Sequence, residues 1–318
     1  MNKHEKKFTF AEFFKHIYVS YIPNQKDNLK QIILKSLFLV SLVTLIVSAG
    51  YITNYFFEAD RQDNIISDSR ELWHSADSDA NTQNQSSKSN LLTEQEIIDE
   101  LIKENSDFKG WITISGTKVD NPIYQAKDND FYLNRNQQKK YSAYGALYFD
   151  CNNLISEQKT DSNLIIYGHE MRNGSMFGSL KKLKSLSFYK QNPNIEFSTI
   201  YKKSTYKIYS IFILNASKKD DDGYIYNISR QKFIDGGDFN SWVSEAYERS
   251  IIDTGVDVEL GDNIITLVTC SEDFENARLV VMAREIREDE PEFTDTSNAK
   301  VNPDPLYPKK WYTERGIK

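Results

Sequence analysis

The sequence predicts a mostly-β domain, sandwich or barrel, carried behind one membrane-spanning helix. Three observations predict it. An uncharged run of 22 residues, Ser36 to Phe57, lies near the N-terminus. Beyond residue 91 the chain is dominated by short apolar runs with turn residues between them. Two of these runs, Asn263 to Cys270 (NIITLVTC) and Arg278 to Arg284 (RLVVMAR), are joined by a seven-residue loop. β-Branched and leucine-rich runs of this length are strands. So short a connection suits an antiparallel hairpin, which sets Cys270 opposite Arg278.

The length of 318 residues supports one sizeable domain with appendages, and 39% hydrophobic with 13% aromatic residues is ordinary for a globular chain. Residues 1–35 hold seven Lys against three acids, so the net charge of −7 divides into a basic head and a remainder of −11. An acidic main domain argues against nucleic-acid binding. Two cysteines exclude a disulfide scaffold, and without a CxxC or a His/Cys cluster neither a metal nor another cofactor is expected. The acidic segment Ser271 to Asn276 has calcium-loop composition but reads as a solvated loop.

Residues 1–35, with Phe8, Phe10, Phe13, Phe14, Ile17 and Tyr18 among the lysines, form a cytoplasmic basic tail. A solvated segment and an amphipathic helix on the membrane surface both fit it. Residues 36–57 would rise about 33 Å as a helix, against roughly 30 Å of bilayer hydrocarbon. Lys26, Lys30 and Lys35 precede the run and Glu58, Asp60 and Asp63 follow it. By the positive-inside rule the N-terminus is cytoplasmic and the bulk lies outside. Tyr51, Tyr55, Phe56 and Phe57 suit the outer aromatic belt. The run is long for a signal peptide and lacks a small-x-small site at its end, so it reads as an anchor. Residues 58–90 form an extracytoplasmic stalk and linker. The helix continues through 58–74, with Ile65, Ile66, Leu72 and Trp73 on a stripe, and 75–90 (SADSDANTQNQSSKSN) is a flexible coil of about 20–24 Å.

The folded domain is expected over 91–287. Thr93 and Glu96 make a capping box before the stripe Ile97, Ile98, Leu101 and Ile102. Then GWITISGTKVDNPIYQ (110–125) is strand-like, and DNDFYLNRN (128–136) leads towards a short helix. GALYFD (145–150) and NLIIYGHE (163–170) are strands, and 179–189 is helical. IEFSTI (195–200) and YKIYSIFIL (206–214) are extended, and 239–250 is an amphipathic helix. Residues 288–318, acidic and proline-bearing, are expected to form a poorly ordered tail, with Trp311 and Tyr312 as its only candidates for docking.

The extracytoplasmic part offers few nucleophiles and bases: Cys151, Cys270, His74 and His169. His74 borders the linker, where no pocket would orient it. His169 ends the buried run Leu164 to Tyr167 and opens a polar, glycine-rich loop, a usual place for an active-site group. A lone buried cysteine is more often structural, but Cys270 and His169 both end apolar strands. That coincidence points to a Cys/His site.

TLVTC, an Arg eight residues later and an upstream YGH resemble the sortases, membrane cysteine transpeptidases of Gram-positive bacteria. FKGWITISGTKVDNPIYQ, DNDFYLNRN, GALYFD and the helix before the TLVTC strand resemble class B in particular, over about residues 91–287. The resemblance implies an eight-stranded β-barrel with an N-terminal helix and a helix inserted before the catalytic strand. It also implies Cys270 as nucleophile, His169 as proton carrier and Arg278 as stabiliser of the scissile region. A guanidinium cannot act as base and serves as a donor to developing negative charge; the Ser271 N–H is a candidate second donor. Asn129, Leu133, Tyr167, Tyr224, Ile225 and Thr269 match positions lining the sorting-signal pocket, and Leu133 and Ile225 also read as ordinary core. Val268 departs from the Ser that class B examples often carry there. The implied substrates are surface proteins with an NP-x-T-(N/G)-type C-terminal sorting signal. The implied acceptor is an amine of peptidoglycan or of its lipid-linked precursor. Two rivals stay open: an extracytoplasmic cysteine protease that hydrolyses the same acyl-enzyme, and a non-catalytic tethered binding domain. Cys151 is expected to be a free, partly buried thiol.

Overall fold

The computed structural model describes residues 18–75, 92–218, 221 and 223–317. The expected linker therefore falls almost wholly outside the described residues, as do residues 1–17 of the basic tail. The chain divides into two units, Met1–Arg61 and Gln62–Lys318. The boundary lies within one long helix, α1 (Leu29–His74).

In the first unit α1 is apolar on all sides. Leu37, Val40, Leu45 and Val47 are each more than half exposed, the signature of a helix whose surroundings are themselves apolar. Its hydroxyls turn inward: Thr44 donates to Val40 O at 2.8 Å and Thr53 to Ala49 O at 2.7 Å. These hydroxyls thus bond within the helix and not outward towards hydrocarbon. The helix is long and apolar enough to cross a membrane.

The second unit is a closed barrel in the order β1-β2-β3-β4-β8-β9-β6-β5. Its strands are β1 (Phe108–Thr113), β2 (Asp120–Tyr124), β3 (Leu147–Phe149), β4 (Asn163–Tyr167), β5 (Asn194–Thr199), β6 (Lys203–Asn215), β8 (Ile264–Cys270) and β9 (Ala277–Glu285). Neighbours run antiparallel except β2/β3 and β4/β8, which are parallel. Closure leaves no free sheet edge. Strands β6, β8 and β9 read as near-continuous apolar runs because helix α4 (Gly236–Arg249) covers their outer face. Phe239, Trp242, Val243 and Ala246 pack there on Phe212, Leu214, Ile264, Val280 and Met282. On another face helix α2 (Glu94–Glu104), started by the expected capping box of Thr93 and Glu96, buries Ile97, Ile98 and Leu101 against Phe108, Trp111, Tyr124 and Tyr132.

Three segments differ from expectation. The compact unit begins at Gln62, not near Leu91. Gln62, Ile66, Ser69 and Trp73 form a buried stripe on α1. Trp73 stacks on Trp111 with ring centroids 5.1 Å apart, Gln62 donates to Ser142 Oγ at 2.7 Å, and Arg70 pairs with Asp120 at 3.0 Å. Second, the segment 128–136 forms turns with no helix. The Asp128 carboxylate accepts from the Asp130 and Phe131 N–H groups, the local competition by which Asp favours turns. Residues 179–189 form a 3-10 turn, Leu180–Lys184, and a short helix α3 (Leu186–Gln191).

Third, the C-terminal tail is built into the fold. Glu290 makes a two-pronged pair with Arg284, whose side chain is 1% exposed, at 2.5 and 2.6 Å. Thr294 is buried beside Asn194. β10 (Lys300–Val301) pairs with β7 (Ile252–Asp253), and the chain ends in α5 (Lys309–Glu314). The charge that makes this tail look disordered is the means by which it docks.

Candidate active site

Cys270 ends β8 and is exposed, whereas the six residues before it are buried. A strand packed on both faces holds its last residue firmly at the barrel rim. β9 returns antiparallel and pairs Arg278 directly with Cys270. On the other side of β8 lies β4, parallel, with Tyr167 level with Val268, and the Gly168 N–H carries the ladder on to Val268 O at 3.2 Å. His169 is two residues beyond Tyr167 and Cys270 two beyond Val268. The parallel register therefore sends the chain at His169 and at Cys270 out of the same end of the ladder, with Arg278 paired to Cys270 on the far side of β8.

His169 is half-buried, and its Nε2 lies 2.7 Å from Leu133 O. A carbonyl oxygen can only accept, so Nε2 carries the ring proton and Nδ1 is the atom left to exchange one. Leu133 thus meets His169 through its backbone. That backbone is pinned by the neighbouring Tyr132, 1% exposed, whose hydroxyl donates to Asp107 at 2.8 Å and accepts from Asn105 at 2.9 Å.

Asn129 and Tyr167 converge on Asp150, a buried carboxylate the sequence reading left without a role. Asp150 Oδ2 accepts from Asn129 Nδ2 and from the Tyr167 hydroxyl, each at 3.0 Å. Asn129 Oδ1 accepts the Cys151 N–H at 2.8 Å. Burial first, then the Asp150 carboxylate, push the Tyr167 phenol up to about 12, against a hydrogen bond to Ser229. It stays a donor at neutral pH. The readable signal for Asp150 was an acid ending the apolar strand GALYFD, where only a partnered carboxylate can be buried. Cys151, free and half-buried, has its thiol pushed up by burial and by Asp150.

The loop after Cys270 is braced. Asp273 accepts from Ser271 Oγ at 2.5 Å and from Lys184 at 2.8 Å. Burial would raise its pKa, but these bonds outweigh burial and hold it below the usual carboxylate range. The Ser271 N–H donates to Ala277 O at 3.0 Å in the hairpin. In this structure the N–H expected to help hold the oxyanion is paired within the hairpin. Arg278, half-buried, gives Nη1 to Ala277 O at 3.0 Å and is the group in this hairpin with donors to offer. Thr269 is buried beside Cys270, and its Oγ1 has no hydrogen-bond partner among the described residues. Tyr224 and Ile225 sit on the α4 side. The Tyr224 hydroxyl donates to Glu245 at 2.6 Å and Ile225 packs against the α4 cluster, so neither joins the Asp150 network directly.

A family model described as "Sortase domain" matches residues 112–286. Sortase B of Listeria monocytogenes is 30% identical over 261 residues, which span 80% of this chain and 98% of that relative. The chain belongs to the class B sortases. The X-ray structure of Clostridium perfringens sortase B is 36% identical, with a TM-score of 0.53 over 59% of this chain and 99% of that one. A Staphylococcus aureus sortase B–substrate complex is 26% identical, with a TM-score of 0.61 over 73% and 100% of the respective chains. The chain is thus a sortase-type cysteine transpeptidase on a closed eight-stranded barrel.

One glycine of this sortase is fixed by the site. Gly145 has φ +59°, and a Cβ there would lie 2.6 Å from Tyr132 O, 2.8 Å from Leu133 O and 3.2 Å from His169 Cδ2. The first two are backbone atoms and cannot swing away. Gly145→Ala is expected to destabilise the fold by about 1–3 kcal/mol and to displace the carbonyl that orients His169. Thermal unfolding together with acyl-enzyme formation checks this. A variant normal in both would show that the Leu133–His169 contact tolerates a shift.

Proposed function

We propose that this sortase cleaves an NP-x-T-(N/G)-type sorting signal after Thr at Cys270 and transfers the acyl group to a peptidoglycan-like amine. What supports the reading is the β4-β8-β9 register, which pairs Cys270 with Arg278 and ends β4, two residues before His169, level with Val268. The Cys270 thiolate attacks the Thr carbonyl and forms a thioester as the C–N bond breaks. His169 gives its proton to the departing amine and takes one from the incoming amine. Arg278 donates to the carbonyl oxygen while it carries negative charge. Asn129, Tyr167 and Thr269, with Leu133 beside His169, line the signal groove. Tyr224 and Ile225 bound its far side through the loop that reaches Tyr167 at Ser229.

The reading includes a single membrane pass over 36–57, with the N-terminus in the cytoplasm, because Lys26, Lys30 and Lys35 precede the run and Glu58, Asp60 and Asp63 follow it. The barrel then faces surface proteins held at the membrane and wall precursors bearing amines. An unprotonated amine is a better nucleophile towards a thioester than water, which favours transfer. Product analysis with and without added amine checks the assignment. Transferred peptide should dominate at high amine concentration. Hydrolysed peptide as the sole product would replace the transpeptidase assignment for this site with a protease.

A further inference from the structure

The family match ends at residue 286, yet the chain beyond it touches both loops that flank the candidate site. One is the loop before α4, which carries Asp221 and Tyr224, is tied to β4 where Asn163 Nδ2 donates to Ile228 O and Arg230 O at 3.0 and 2.9 Å, and brings Ser229 near the Tyr167 hydroxyl. The other is 271–276, directly after Cys270. The Lys309 N–H donates to Asp221 Oδ1 at 2.6 Å, and Tyr307 and Tyr312 line a cavity of about 780 Å³ together with Tyr224. On the second loop Lys310 Nζ lies 3.7 Å from Glu275, and Arg315 Nη2 lies 3.9 Å from Asp273, the carboxylate that also holds Ser271. Each ion pair is weak alone, but the segment that carries them is stiff. Tyr307 stacks on Trp311 at 3.9 Å and 4°, Arg315 lies over the Trp311 ring at 4.2 Å, and the Leu306 N–H is tied to Glu248 O at 2.8 Å.

We propose that residues 303–317 are a strap that sets the spacing of the two loops beside Cys270 and thereby decides how well a sorting signal is held. The two loops leave the paired strands β6 and β9 and share one backbone bond at their base, Ala216 N–H to Asn276 O at 2.9 Å, and beyond that point the C-terminal segment is what spans them. The kinetic half of the proposal rests on the sorting-signal reading above; the structural half does not.

The test uses the full chain in detergent, a chain ending at Asn302, and the full-length double variant Lys310→Glu/Arg315→Glu, which keeps the backbone anchors should the shortened chain fold poorly. Amide exchange is read over 223–230 and 271–276, and KM and kcat are measured for a sorting pentapeptide. Exchange is expected to quicken about tenfold in both loops with the barrel strands unchanged. KM should rise about fivefold with kcat within about twofold, as for lost uniform binding. Unchanged exchange in either loop, or a fall in kcat at constant KM, overturns the strap. If the unmodified chain turns over no such peptide, the sorting-signal reading fails, while the exchange result still decides the strap.

Discussion

Cys270→Ala is expected to lose acyl-enzyme formation altogether, a fall in turnover of at least about a thousandfold, as for loss of a covalent nucleophile. Cys151→Ala should remain within about twofold of normal. Position makes the difference. Cys270 is exposed at a strand end facing Arg278, whereas Cys151 is half-buried, with a thiol that burial and the Asp150 carboxylate keep protonated. Intact mass after incubation with an NP-x-T-type peptide reads the thioester directly. An adduct that persists in Cys270→Ala, or one that disappears in Cys151→Ala, would exchange the roles of the two cysteines.

Arg278→Lys is expected to lower kcat by about 10²–10³ with little change in KM, the usual effect of removing a donor to a developing oxyanion. Charge is retained in this variant, but the planar fork of donors is lost. The structure raises the stakes at this position. The Ser271 N–H, the other candidate donor, is held by Ala277 O in this structure, which leaves more of the stabilisation to Arg278. Steady-state kinetics with a thermal-unfolding control measure it. Near-normal turnover would reduce Arg278 to a diffuse field or a structural contact.

Much of this protein was legible in the residues because the signals are local. An uncharged 22-residue run has one economical environment. The capping box of Thr93 and Glu96 closes within four residues, and the NIITLVTC/RLVVMAR hairpin sets its own register, so the facing of Cys270 and Arg278 follows from loop length alone. The closed barrel came with the family resemblance and not from periodicity. Strands buried on both faces carry no alternation to read.

What the tertiary structure decided has one physical cause: polar residues whose partners are distant in sequence. The α1 stripe looked like stalk because two of its four members, Gln62 and Ser69, are polar, and they are buried only because Ser142 and Glu104 receive them. The tail looked disordered because Glu290 is acidic, and it is ordered because Arg284 waits in the barrel wall. Asp150 showed no role until Asn129 and Tyr167 met on it, and the Leu133 carbonyl fixed the His169 tautomer from a turn 36 residues upstream. Hydrophobic patterning reports which side of an element faces inward. It is silent about which charge or amide will find a partner there, and in this protein those partnerships orient the candidate site.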